Sequence, residues 1–308
     1  MTTKVPETLL DLPLSSYHVS LPNSLELDLD EHRALKHYQS TYSLYRTTKD
    51  PNWSTHMVLL RLGSKDPMIM HLILAVSIND LQNRNGDPLW SLQAHNHFQT
   101  GVHLLIKNMQ EVNESKHILL MASFFFIYLY MTKRQLIAPQ QLRQLSLAVA
   151  NYVKKYNLES LCTGSSQSSA TSSVTVNSSK YDRSLLARLI MWTFDEDVKC
   201  SFQGAGGYFA RHLTDHEVRT KSVYDVSRNA LSAYFGTEYP VYQNMDDQQN
   251  STVLEFLWAL MPLWQDINDI PWHDSHSAQS YPHIEQAFRD LEEVSDAYIY
   301  TNQFTKLS

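Results

Sequence analysis

Two stretches of this sequence have no polar side. The first, Lys65 to Gln82, opens at Asp66-Pro67, where an aspartate can cap free amides and a proline fits the first helical turn without losing a bond. Behind it run Met68, Ile69, Met70, Leu72, Ile73, Leu74, Ala75, Val76, Ile78 and Leu81, which cover nearly the whole circumference of a helix. A helix of that kind must be surrounded by others. The second, ILLMASFFFIYLYM from Ile118 to Met131, is equally apolar, and its 14 residues fall short of the roughly 20 needed to span a bilayer. Both predict central helices of a helical bundle.

Around them the apolar spacing is amphipathic. A helix is predicted from Asp30, with Leu35, Tyr38, Tyr42 and Tyr45 on one stripe, ending at Asp50-Pro51. Trp53 to Leu62 predicts a short helix closed by Gly63 as a C-terminal cap. A long helix over Pro88 to Val112 carries Trp90, Ala94, Phe98, Val102, Leu105 and Met109. Another opens at Pro139, runs through Leu142, Leu145, Val149, Tyr152 and Val153, and ends near Leu161. Periodicity resumes at Asp182, breaks at a glycine cluster, and continues near 208–213 and 220–235. Val253 to Trp264 is strongly apolar, with Pro262 expected to kink or end it. A last helix would carry Ile284, Phe288, Leu291, Val294 and Tyr298. No alternating run predicts a strand. The fold class expected is all-α, an irregular bundle of about ten helices.

Two segments stand apart. Residues 1–30, with Pro6, Pro13 and Pro22, predict an extended N-terminal arm. Residues 163–180 are rich in serine and threonine, and offer little to bury, so a disordered loop is expected there. Neither flank of that loop has an obvious separate core, so residues 31–308 are expected to form a single helical domain.

Composition narrows the function classes. The 308 residues include only 8 glycines, few for a Rossmann-like sheet, and carry a formal net charge of -7. Lys133-Arg134 and Lys154-Lys155 are the longest basic runs, so direct nucleic-acid binding is not expected. From Asp246 onward 11 acidic residues face two basic ones, Arg289 and Lys306, a distribution suited to a protein partner or plain solvation. The two cysteines, Cys162 and Cys200, exclude a disulfide scaffold and a cysteine-rich zinc module. MTTKVPETLLDLPLSS is not a secretory signal, and a reducing compartment is expected.

The candidate chemistry is thin. His95 and His97 project about 200° apart on a helix and share no metal from that element, while His273, Asp274 and His276 fall in a loop. No catalytic, metal, DNA-binding or cofactor site is expected. Asp195, Glu196 and Asp197 sit inside an apolar helix; structural pairing with Arg188 or Arg211 is weighed there against general acid–base work. Asp246-Asp247-Gln-Gln-Asn is similar to the aspartate-rich motif of terpene synthases, but Asn250 replaces the third acid. Gly204-Ala-Gly-Gly207 lacks the strand and the Lys-Ser/Thr of a phosphate loop, and is expected to end one helix through a left-handed turn and seat the next.

The segment LARLIMWTFDEDVKCSFQGAGGYFARHL, Leu186 to Leu213, resembles a signature of the fungal-specific transcription factor domain that accompanies binuclear zinc clusters. Asp197, Ser201, Phe202, Gly204, Gly206, Gly207, Ala210 and Arg211 fill its positions. Leu35-Lys-His-Tyr-Gln, Leu59 to Pro67, His71 to Ser77 and His97 to Leu105 also resemble the family, so the likeness spans about residues 30 to 235. It implies a nuclear, α-helical regulatory domain that acts through protein partners, such as transcription machinery or a zinc-cluster protein, or through a small-molecule effector. Homodimerisation is compatible with it. The family's DNA contacts belong to a six-cysteine zinc cluster, which two cysteines cannot make, so zinc and DNA binding are not carried over. Family members also usually continue with further helices where this sequence ends. The alternatives are an all-helical enzyme using the Asp195, Glu196 and Asp197 carboxylates, or a plain protein-interaction scaffold.

Overall fold

The computed structural model describes residues 19–20, 22–86, 88–133, 139–164, 176–215 and 217–268, with isolated positions at 282, 285–286 and 289. The chain is all-α, with thirteen α-helices among these residues. It divides into two compact units, Met1–Gln135 and Leu136–Ser308. The stripe expected on a last helix (Ile284, Phe288, Leu291, Val294 and Tyr298), the histidine-bearing loop at 273–276 and the first 18 residues of the arm lie outside the described residues.

In the first unit a minimal antiparallel pair, β1 (Val19–Ser20) with β2 (Glu26–Leu27), leads into α1 (Leu29–His37), α2 (Thr55–Gly63), α3 (Pro67–Asn85), α4 (Pro88–Asn108) and α5 (His117–Thr132). The arm is therefore partly paired rather than simply extended. Helix α3 starts as its sequence predicts: the Asp66 carboxylate accepts from the Ile69 amide, Pro67 occupies the first turn, and Gly86 ends it at a left-handed φ of 76°. Its apolar residues are buried on every side, against α1, α2, α4 and α5. Helix α5 is buried as completely, from Leu120 to Tyr130.

Two close approaches set the packing on α3. Gly63 does not cap α2. It lies within the helix, Ser64 follows in right-handed conformation, and a Cβ on Gly63 would stand 2.8 Å from Ile73 Cδ1. The glycine is there because α2 ends against α3. Likewise a Cβ on Gly101 of α4 would lie 2.7 Å from Leu72 Cγ. The stripe expected on α4 is narrower than predicted: Ala94, His97, Gly101 and Leu105 are buried, and Met109 lies beyond the helix.

The second unit comprises α6 (Pro139–Tyr156), α7 (Leu158–Thr163), α8 (Val176–Ser201), α9 (Tyr208–Thr214), α10 (Glu217–Arg228), α11 (Ala230–Phe235), α12 (Val241–Gln249) and α13 (Ser251–Asn268). Helix α8 is its centre, packed against α7, α9, α10, α11 and α13. It begins at Val176, so 176–180 are helical rather than part of the serine-rich loop; residues 165–175 lie outside the described residues. The helix expected from Pro139 to Leu161 is two, divided at Asn157, whose φ is 48°. A side-chain amide makes such left-handed backbone tolerable. Pro262 does not end α13, which continues to Asn268.

Gly101→Val places branched carbons where Leu72 already sits. It should destabilise the protein by about 1–3 kcal/mol despite improving helix propensity. Urea unfolding measures this; unchanged stability would mean that α4 does not sit so close to α3.

Candidate functional site

The glycine-containing stretch from Asp197 to Arg211 forms the junction from α8 to α9. Helix α9 begins at Gly207, which adopts φ 84° and has no side chain to cap the free amides of the first turn. Those amides are satisfied from other helices. Phe209 N–H donates to Ser146 Oγ of α6 at 3.0 Å, and Ala210 N–H donates to Asp197 Oδ2 of α8 at 2.9 Å. Ser146 Oγ–H donates in turn to the same Asp197 oxygen at 2.9 Å. Asp197, Ser146, Phe209 and Ala210 are all fully buried. One carboxylate and one hydroxyl thus cap a helix that cannot cap itself, and the negative charge stands at a helix N-terminus where it is favoured.

The glycines are fixed by conformation and clearance together. Gly204, Gly206 and Gly207 have φ of 69°, 85° and 84°. A Cβ on Gly206 would stand 2.8 Å from Asp197 Oδ1, and one on Gly207 would stand 3.2 Å from Ser201 Cβ. The expectation that this cluster ends one helix and seats the next is met. Ser201 Oγ donates to the Val198 carbonyl at 2.6 Å and accepts from Asn268 Nδ2 at 2.6 Å. Arg143 of α6 donates to the Gly204 carbonyl at 2.8 Å. Phe202 is 53% exposed and meets Trp264 edge-on, at 5.7 Å between ring centres. The Arg211 guanidinium lies 6.0 Å from the Tyr208 ring centre.

The three adjacent carboxylates have separate roles. Asp195 and Glu196 both bind Lys199, Glu196 at 3.2 Å. Burial works against the Lys199 ammonium, but Glu196 and Asp195 outweigh it and hold the group above its ordinary range. Asp195 and Glu196 are thus paired to Lys199. Arg188 reaches toward the Ser227 carbonyl at 3.5 Å and lies 5.6 Å from the Trp192 ring centre. In α12, Asp247 accepts from Tyr239 Oη at 2.8 Å, and Asp246 from Asn250 Nδ2 at 2.7 Å. Arg188 reaches from α8 to α10, while the Lys199 pairs lie within α8 and the Asp246 bond within α12 and its C-cap.

A second polar cluster, in the first unit, escaped the sequence. Glu31 of α1, His97 of α4 and His71 of α3 form a chain: His97 Nε2 lies 2.9 Å from Glu31 Oε1, and His97 Nδ1 lies 2.9 Å from His71 Nδ1. The other Glu31 oxygen accepts the Asp28 amide at 2.8 Å, completing the capping box of α1. Nearby, Tyr38 Oη meets His56 Nδ1 at 2.9 Å and His37 Nε2 meets Asp80 Oδ2 at 2.8 Å. The capping box starts α1 at Leu29, one residue ahead of the Asp30 start expected from the sequence. Partners 26 and 66 positions apart along the chain leave no local pattern.

Among the described residues no three or more His, Cys, Asp or Glu are grouped to hold a metal ion, and no helix is long and apolar enough to cross a membrane. Cys162 and Cys200 are buried free thiols, and burial pushes both well up from the ordinary thiol range. Comparison of the chain with protein-family models, with curated proteins and with solved structures returned no match.

Asp197→Ala leaves the Ser146 hydroxyl and the Ala210 amide buried without their acceptor. It should cost about 2–4 kcal/mol. Asp195→Ala removes a half-exposed ion pair and should cost less than about 1 kcal/mol. Equal losses in chemical denaturation would remove Asp197 from its capping role.

Proposed function

We propose that this chain is a helical regulatory domain of a transcription regulator, of the type that accompanies fungal zinc clusters, and that it acts in the nucleus through protein partners or a small-molecule effector. The observation that carries this reading is the convergence of the motif positions. Asp197, Gly206, Gly207 and Ala210 meet in one buried construction, and Ser201 and Gly204 are bonded at its rim. These positions lie close together along the chain, so it is their shared bonding to Ser146 of α6, rather than their proximity, that supports the reading.

The surface also suits a partner. Val241, Tyr242 and Met245, on one side of α12, are 75%, 55% and 54% exposed, an apolar surface of the kind that marks interaction sites. With a net charge of -7 the chain has little to offer a phosphate backbone, so contact with DNA falls to another chain or module.

The enzyme alternative rests on Asp195, Glu196 and Asp197. A general base must reach a substrate proton through a free lone pair. Oδ2 of Asp197 already accepts a hydroxyl and an amide, and Asp195 and Glu196 hold a lysine. This geometry favours the regulatory reading over the catalytic one.

The test is a reporter assay with residues 1–308 fused to an unrelated DNA-binding domain in a fungal nucleus. Reporter output severalfold above or below that of the bare DNA-binding domain is the expected result. Output equal to the bare domain, from a fusion shown to be stable and nuclear, would overturn the proposal.

A further inference from the structure

The polar seam of the first unit has a property independent of any role in transcription. Helix α4 presents one narrow line of buried residues, Ala94, His97, Gly101 and Leu105. Two of the four are small and a third is ionisable, so a large share of this seam depends on the state of a single imidazole. That imidazole, His97, is held between Glu31 and His71.

The proton arrangement follows from the donors and acceptors. Glu31 accepts from His97 Nε2–H, which leaves His97 Nδ1 facing His71 Nδ1 at 2.9 Å. One proton between those nitrogens makes a hydrogen bond in either of two ways. It can sit on His71, with both rings neutral, or, when His71 carries a further proton on its Nε2, on His97 as an imidazolium paired with Glu31. With both rings charged, two N–H groups point at each other, no acceptor lies between them, and like charges meet in a half-buried place. Glu31 then retains His97, and His71 is the ring expelled.

We propose that the Glu31–His97–His71 chain is a proton-operated clasp that docks α4 on α3, closed while the two rings share one proton and opened when both are protonated. The groups acting on His71 are His97 from α4 and Glu31 from α1. Of the other helices packed on α3, α2 carries His56, bonded to Tyr38, and Arg61, and α5 carries His117. On α1, His37 Nε2 lies 2.8 Å from Asp80 Oδ2 of α3, a second tie between those two helices.

The direction of the pH dependence follows. Burial first, then His97, lower His71 from the ordinary 6.5 to about 4, against an opposing pull from Glu31. An opened His71 therefore takes up a proton that the closed one refuses. The clasp holds fully above about pH 6.5 and weakens progressively toward pH 4.

Hydrogen exchange of the full chain, followed by mass spectrometry from pH 7.5 to 4.5, reads this directly. After correction for intrinsic rates, exchange in α4 should accelerate by up to about tenfold per pH unit below 6.5, the limit for one proton taken up on opening. Helix α8, in the other unit, serves as the internal reference and should keep its protection. His71→Asn keeps a polar atom near the Nδ1 position but does not titrate, so it should abolish the acid step in α4. A pH-independent α4, an equal loss in α8, or an unchanged acid step in His71→Asn would each overturn the clasp. If that variant fails to fold, NMR titration of the wild-type imidazoles decides: His71 titrating well below 6.5 supports the clasp, and an ordinary titration near 6.5 sinks it.

Discussion

A helix that is apolar on every side has no face to give to water, and the enclosure of a central helix organises both units. In the first, α3 and α5 are each enclosed, and α1, α2 and α4 are laid against α3. Burying one leucine or isoleucine side chain contributes about 1.5–3 kcal/mol, so the row from Met68 to Ile78 is a dominant favourable term for that unit. In the second unit α8 has the same position, with Leu185, Leu189, Ile190, Phe194 and Val198 buried and helices packed along its length. Enclosure demands close approach. Gly63 and Gly101 supply it on α3, and Gly206 and Gly207 supply it at the end of α8.

Enclosure also traps polar groups, and the structure answers several with partners brought from elsewhere in the sequence. Ser77 of α3 donates to the Ala34 carbonyl of α1, Tyr38 meets His56, and Asp197 gathers Ser146 and the start of α9. An unpartnered buried polar group costs about 1–3 kcal/mol, so each arrangement selects one packing among the many that an apolar core alone would permit. Orientation within each unit comes from these bonds, while most of the favourable energy comes from the apolar helices they tie down.

This division explains what was legible in the sequence. The all-α class, the course of α3 and α5, and the start of α3 at Asp66-Pro67 follow from local pattern, because periodicity and capping are local physics. So does the turn at Gly204 to Gly207. What escaped depends on distant chain segments. Gly63 looks like a cap from its neighbours, and only Ile73 shows it to be a contact. The break at Asn157 needed a left-handed residue that periodicity passes over, and Pro262 sits within a helix that continues beyond it. Of the candidate residues, Asp197 was singled out for its place among adjacent acids, but Ser146, its partner 51 positions away, carried no signal. His71 and His97 were invisible as a pair for the same reason.

The motif at the α8–α9 junction therefore carries information of a particular kind. Gly206 and Gly207 are required by positive φ and by clearance, Asp197 by the uncapped amides of α9, and Ala210 is fully buried with its amide on that carboxylate. None of these requirements refers to a ligand. A pattern built from them marks a way of turning one buried helix into the next, and its recurrence would follow the fold rather than any one effector. Ser146 sharpens the point, because the cap needs its hydroxyl as much as the carboxylate, yet it lies on α6, outside the contiguous signature. A chain sharing this turn needs a small hydroxyl or an equivalent polar group at the corresponding place on its own preceding helix. That pairing across helices distinguishes a shared architecture from a coincidence of glycines.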